Sequence, residues 1–157
     1  MTKTLIVYGT RMGMAAKTAD VIAEVLSSKH KHTVDVVNLK KSGKVNLDDY
    51  KNVIIGTGIA IGQWTRPVKK FLKNNLKDKK VCFYVCSGEA RAENSEEKLH
   101  VAIKKYIDDK LVKYPKIKPV ATTAFGGRLI MFGKPMVDNW KKEHIEDWVK
   151  EISKNLK

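Results

Sequence analysis

Thr4-Leu5-Ile6-Val7-Tyr8-Gly9-Thr10-Arg11-Met12-Gly13-Met14-Ala15-Ala16-Lys17-Thr18-Ala19 is the stretch on which the fold turns. An apolar run of strand length stops at a Gly/Thr-rich turn and passes at once into a helical pattern, with Ala19, Val21, Ile22, Val25 and Leu26 as its apolar stripe. A helix that starts directly at a strand's carboxyl end leaves its first backbone N–H groups unpaired and aimed out of the sheet, with the positive end of the macrodipole behind them. Such a loop is a seat for an anion, phosphate above all, although a plain strand-to-helix turn has the same outline. Two nucleotide motifs fail here. A Walker A loop needs Gly, four residues, then Gly-Lys-Ser/Thr; Lys17-Thr18 supplies the ending, but Arg11 and Ala16 stand where the two glycines belong. The dinucleotide fingerprint lacks a third glycine after Gly9 and Gly13, and Gly56-Thr57-Gly58-Ile59-Ala60-Ile61-Gly62 is one residue too long for it.

Outward from that stretch the strand–loop–helix unit recurs. Val34-Asp35-Val36-Val37 follows a basic turn and reads as a second strand at an edge, and Asn46 to Tyr50 as one short helical turn capped by Asn46. Val53-Ile54-Ile55-Gly56-Thr57 is continuously apolar up to its last residues, which suits a central strand covered on both faces. A glycine-containing loop then leads to a helix predicted from the Thr65 cap and Pro67 through Leu76. Trp64 lies off every apolar stripe, unlike Trp148, and is expected to stack on a flat ligand rather than fill the core. Residues 81–86 make the fourth strand, residues 87–94 a third loop, and a helix is predicted from Ser95 through Leu111. Residues 120–125 are the fifth strand. The segment from Gly126 to Pro135 is unusually apolar for a surface loop, so it is expected either to lie beneath the last helix or to form a hydrophobic lip beside a ligand. The final helix, predicted from Asp138 to Asn155, carries Ile145, Trp148, Val149, Ile152 and Leu156 on one stripe.

At 157 residues the chain is expected to be one domain with a sizeable core. It has no 18-residue apolar run, and Tyr8-Gly9-Thr10-Arg11 ends the first apolar stretch too early for a signal peptide. The expectation is a cytoplasmic protein with no transmembrane segment, for which peripheral membrane contact stays open. Cys82 and Cys86 fall on one face of one strand about 13 Å apart, too far for a disulfide, and the four His show no ligand spacing, so no metal site is expected. The net charge is +14, and of the 31 basic residues all but four are Lys. Those four, Arg11, Arg66, Arg91 and Arg128, each fall just beyond a predicted strand. Arg suits two-pronged recognition of carboxylate or phosphate, so the Lys read as a solvated coat and the Arg as site residues. The basic residues spread over every helix without interleaved aromatics, and nucleic acid is not the expected partner.

Five strands alternating with helices require right-handed parallel crossovers. The predicted fold is α/β, a three-layer sandwich on a five-stranded parallel sheet, and the order 2-1-3-4-5, with its switch point between the first and third strands, is what a resemblance to the flavodoxins implies. Ligands in such sheets bind outside the carboxyl ends at that point, where the loops at residues 9–15 and 57–64 converge and the third loop flanks them.

On these residues the chain resembles the flavodoxins, in which an aliphatic strand ending Tyr-x-Thr-x-x-Gly, here Tyr8 to Gly13, feeds a helix and wraps the phosphate of FMN. Ile55-Gly56-Thr57-Gly58-Ile59, Gly62 before an aromatic, and the closing Trp148-Val149-Lys150-Glu151-Ile152 are most similar to the flavodoxin-type, menaquinone-dependent protoporphyrinogen oxidases and their short relatives. The resemblance implies a flavodoxin-like flavoprotein with FMN as cofactor, acting in electron transport between oxidoreductase partner proteins. The alternative it implies is an FMN-dependent oxidoreductase that takes an anionic tetrapyrrole or a quinone, with Arg66, Arg91 and Arg128 on substrate carboxylates. It implies cofactor contacts at Thr10, Arg11, Met12, Gly13, Met14 and Ala15, at Thr57, Gly58, Ile59, Gly62 and Trp64, and at Ser87, Gly88 and Arg91. Three departures qualify it. Ala15 stands where the family usually has a Thr, a loss of about 1 kcal/mol in phosphate grip that a charge-assisted contact from Arg11 would offset. The third loop has no Tyr to cover the second flavin face. The segment at residues 126–140 is shorter than the basic, aromatic insertion of those oxidases. Positive charge near a flavin favours the enzyme reading; the shorter segment favours the carrier, which is the expectation.

Overall fold

Side chains leave a strand alternately to the two faces of its sheet, and in this chain both faces are apolar. The computed structural model describes residues 3–156, apart from the side chains of residues 129 and 130. Strands β1 (Lys3–Gly9), β2 (Thr33–Asn38), β3 (Asn52–Gly58), β4 (Lys80–Cys86) and β5 (Ala121–Phe125) form one parallel sheet of order β2-β1-β3-β4-β5. Leu5, Val7, Val53, Ile55, Val81, Phe83 and Val85 enter one core, against α2 (Arg66–Phe71) and α3 (Glu96–Ile103). Ile6, Ile54, Cys82, Tyr84 and Phe125 enter the other, against α1 (Met14–His30) and α5 (Lys142–Ile152). This is the three-layer architecture the periodicity predicts, and it explains why β3 and β4 read as unbroken apolar runs. β2 pairs with β1 alone, as an edge strand. Cys82 and Cys86 are free thiols buried on the same face.

Several boundaries differ from expectation, each for a local reason. Residues 46–50 form a turn, not a helix: the Asp48 N–H donates to Asn46 Oδ1 at 3.0 Å, the side-chain bond by which Asn competes with helical pairing. α2 stops at Phe71, five residues short, where both the backbone N–H and the side-chain amide of Asn74 donate to the Phe71 carbonyl. Thr65 precedes α2 without a cap bond; its hydroxyl lies 3.3 Å from Thr57 Oγ1 instead. α3 runs on through a π turn at Lys104–Asp108 into α4 (Asp109–Leu111), an irregularity with no sequence signature.

The apolar segment after β5 is not a loop, and its described side chains from Arg128 to Pro135 are exposed. It folds into β6 (Arg128–Met131) and β7 (Lys134–Asp138), an antiparallel hairpin outside the main sheet. Phe132 and Gly133 connect the strands with φ of 53° and 72°, the doubly left-handed backbone that a two-residue hairpin turn demands. Phe132 is 97% exposed, and Met131 and Met136 also reach solvent; Leu129 and Ile130 have side chains outside the described residues. The hairpin delays α5 to Lys142.

Thr4, His32 and Asn52 form a buried polar cluster beneath the β1–β2 edge. Asn52 Nδ2 donates to Thr4 Oγ1 at 3.2 Å, leaving that hydroxyl to donate to His32 Nδ1 at 2.8 Å, an arrangement that suits the neutral ring. Burial, reinforced by His30, holds His32 below its ordinary value of 6.5. Burial does the same to His144, helped by Arg91 and Lys141. The unfolded chain therefore takes up these protons first as pH falls. Stability should be full above pH 6.5 and decline below it, toward the depressed folded values. Chemical denaturation between pH 7.5 and 5.5 should show that slope, and His32→Asn should flatten part of it. A slope unchanged by the substitution would rule His32 out as a source.

Candidate functional site

The carboxyl ends of β1, β3 and β4 open on a cleft of about 530 Å³, between the loops that follow each strand. In the first loop Gly13 holds φ of 86°, a backbone state glycine adopts freely, and its N–H donates to Thr10 Oγ1 at 2.8 Å. That turn drops the chain into α1 with no side-chain cap and no acidic residue in the first turn. The opening N–H groups of α1 therefore remain for an external acceptor, beside Thr10, Met14 and Ala15 on the cleft wall. A core residue holds this end in place. Tyr84 donates its buried hydroxyl to the Ala15 carbonyl at 2.9 Å, and burial keeps that phenol protonated. Gly56, opposite Tyr84 in the β3–β4 register, has no room for a Cβ because the Tyr84 ring fills the space.

Gly58, Ile59, Ile61 and Gly62 form a second wall, with Ile61 wholly exposed at the rim. Cys86, Ser87, Gly88 and Glu89 form the third, and Gly127, Arg128 and Val137 of the hairpin close over it. Asn139 clasps the hairpin base to the third loop: its Nδ2 donates to the Gly88 carbonyl at 2.7 Å and its Oδ1 accepts from the Gly127 N–H at 3.0 Å. Glu89 is the one carboxylate on the lining, against the guanidinium groups of Arg11 and Arg128. It accepts from Tyr106 Oη at 2.9 Å, and Tyr106, which the π turn presents, is raised above its ordinary value by burial and by Glu89. Burial pushes the Cys86 thiol up to about 12, so it is no thiolate nucleophile.

The structure brings Thr10, Arg11, Met12, Met14, Ala15, Gly58, Ile59, Gly62, Ser87 and Gly88 onto one lining. Four others stand elsewhere. Gly13 shapes the turn without lining the cleft. Thr57 is buried, its hydroxyl donating to the Gly58 carbonyl and accepting from the Thr65 N–H. Arg91 turns away, donating from Nε to the Ala124 carbonyl at 3.0 Å with its guanidinium over the Phe125 ring. Trp64 is a correction. Only 2% exposed, it packs on Phe83 and Tyr114 and donates Nε1–H to the Tyr106 carbonyl at 2.6 Å, so it fills the core beneath its loop and cannot lie on a ligand in the cleft. Tyr106, Glu89, Ala92, Cys86 and Val137 join the lining unforeseen. Gly126-Gly127 before Arg128 is the sequence signal for a close backbone approach at the base of the hairpin. A Cβ at Gly127 would press on the Gly88 backbone.

A family model described as a flavodoxin domain matches residues 5–155. The chain belongs to the flavodoxin domain family. Among solved structures, flavodoxin 1 from Bacillus cereus is 17% identical with a TM-score of 0.67, over 99% of this chain and 100% of that one. A flavodoxin from the domain Archaea is 16% identical with a TM-score of 0.60, each chain being 99% covered. Rubredoxin oxygen:oxidoreductase from Desulfovibrio gigas is 15% identical with a TM-score of 0.68; 99% of this chain aligns with 36% of that longer one. At such identities these likenesses speak to the fold. No curated protein matches the sequence. As a flavodoxin domain the protein binds FMN and has an electron-transfer role. The cleft fits that cofactor: an uncapped, acid-free helix start suits a phosphate dianion, and a slot walled by Met12, Ile59 and Val137 suits a flat ring. Among the described residues, no helix is long and apolar enough to cross a membrane.

Proposed function

We propose that the protein is an electron carrier in which FMN sits in this cleft and passes electrons between oxidoreductase partner proteins. FMN supplies reversible one- and two-electron redox chemistry. The first turn of α1 with Thr10 and Arg11 holds the phosphate, while the 58–62 loop, residues 87–88 and Val137 flank the ring. One observation carries this reading: the uncapped start of α1 and the glycine loop after β3 converge on one cleft at the sheet's switch point. Titrating the apoprotein with FMN should give saturable, equimolar uptake with quenching of flavin fluorescence. Absence of uptake would leave the carrier reading without its cofactor.

A second reading, an FMN-dependent oxidoreductase of the protoporphyrinogen oxidase or quinone reductase type, draws on the hairpin. Arg128 lines the cleft, held only loosely by Asp138 at 3.9 Å, and could meet a substrate carboxylate. Arg66 and Arg91 lie off the cleft, which removes two of the three cations that reading invoked. A positive charge at the cleft favours the reduced cofactor, so Arg128→Gln should lower the midpoint potential by tens of millivolts, about 1 kcal/mol for a partly screened charge. A wild-type two-electron potential well below that of free FMN supports the carrier; one above it supports the oxidoreductase.

A further inference from the structure

A second depression, of about 1040 Å³, runs between the segment after β2, residues 39–45, and α2. Lys40, Lys44, Arg66, Lys69, Lys70 and Lys73 line it, and among the described residues no carboxylate does. Among the described residues none of these six forms an ion pair. Lys69 Nζ donates to Gln63 Oε1 at 3.1 Å, and the other five cations reach solvent. Like charges gathered on a concave wall repel one another and stabilise nothing within the chain; a negative surface from outside relieves the repulsion and is drawn in by it.

The groove also has an address. The loop between β3 and α2 lines the cofactor cleft through Ile59, Ile61 and Gly62 and leads directly into α2, whose first residue, Arg66, lines the groove. A body seated in the groove therefore rests against the helix that begins where the loop bordering the cofactor ends.

We propose that this groove docks an acidic face of a redox-partner protein. The inference rests on the electron-carrier reading and adds the partner's charge and the place it binds. A protein surface fits better than a nucleic acid, because the groove offers no free ring for base stacking: Phe71 is buried and Tyr114 is stacked on Trp64 at 6.0 Å. Long exposed cations around a floor that includes Leu39, Val45 and Pro67 match the polar rim and apolar centre of a transient interface.

The test uses the full chain loaded with FMN and, as probe, cytochrome c whose lysines have been succinylated, a folded haem protein made acidic. Calorimetry at 20 mM salt should detect its binding, weakened about tenfold or more at 150 mM, with native basic cytochrome c giving no heat. Arg66→Glu with Lys70→Glu should reduce the affinity about tenfold or more. Lys29→Glu with Lys150→Glu, which changes net charge equally on the opposite face, should change it less than about threefold. Equal losses in the two pairs, no binding of the acidic probe, or tighter binding of a 20-mer oligothymidylate lost with the same groove pair would each overturn the proposal. FMN content measured in the same samples separates the two levels. Failure to load FMN defeats the carrier reading, whereas normal loading without docking defeats only the groove.

Discussion

Thr10→Asp should weaken FMN binding about 100-fold, close to 3 kcal/mol, while leaving the melting temperature of the apoprotein nearly unchanged and riboflavin binding intact. Thr10 Oγ1 accepts the Gly13 N–H that shapes the turn into α1, and a carboxylate at the same place is an equally good acceptor, so the fold has no reason to change. The difference is charge. A carboxylate about 4 Å from a phosphate opposes it by about 4 kcal/mol at an effective dielectric near 20, before screening at the cleft mouth reduces it. Riboflavin lacks the phosphate and should not register the substitution. Parallel titrations of wild type and variant with both ligands decide the matter. Equal weakening of both would mean that residue 10 shapes the ring site instead, and no weakening of FMN would move the phosphate away from the start of α1.

Trp64→Ala should destabilise the fold by about 3–5 kcal/mol, the range for emptying a large aromatic site in a packed core. The ring is wedged between Phe83 of β4 and Tyr114, and its indole N–H satisfies the Tyr106 carbonyl. Truncation opens a cavity under the second loop and removes the hydrogen bond that carbonyl accepts from the indole. Trp64→Phe separates core from ligand roles: it keeps a ring but loses the hydrogen bond and part of the indole volume, so stability should fall by less than in Trp64→Ala, by about 1–3 kcal/mol, with FMN affinity changed less than threefold. Urea denaturation paired with flavin titration measures both. Retained stability with lost FMN affinity would restore Trp64 to the cofactor site.

These two residues show what can and cannot be seen along a chain. Thr10 belongs to a spaced motif at the junction of two regular elements. The strand's end and the helix's start fix where the turn points, and the chemistry of the seat follows from backbone geometry alone. Trp64 sits in an irregular loop with no period to say which way a side chain faces. Its surroundings come from β4, from the residue at position 114 and from a π turn some forty residues downstream, none of them adjacent in sequence. The same reason covers Arg91, which found the Ala124 carbonyl and Phe125 ring rather than the cleft, and Tyr106, which entered the cleft from a helix on which the sequence singled out no side chain.

The sequence by itself determined the five strands, the two apolar faces of the sheet and the two glycine-containing loops, which follow from local periodicity and turn chemistry, and the parallel connection of the strands, which follows from the one-handedness of crossovers. Their order, and with it the switch point, was what the resemblance to the flavodoxins implied. Only the tertiary structure decided that the apolar segment after β5 is a hairpin clasped over the cleft by Asn139, that Trp64 faces inward, and that six cations from two separate segments line one groove. Those are contacts between parts of the chain far apart in sequence. Their energies depend on which surfaces meet, and a linear pattern carries no record of that.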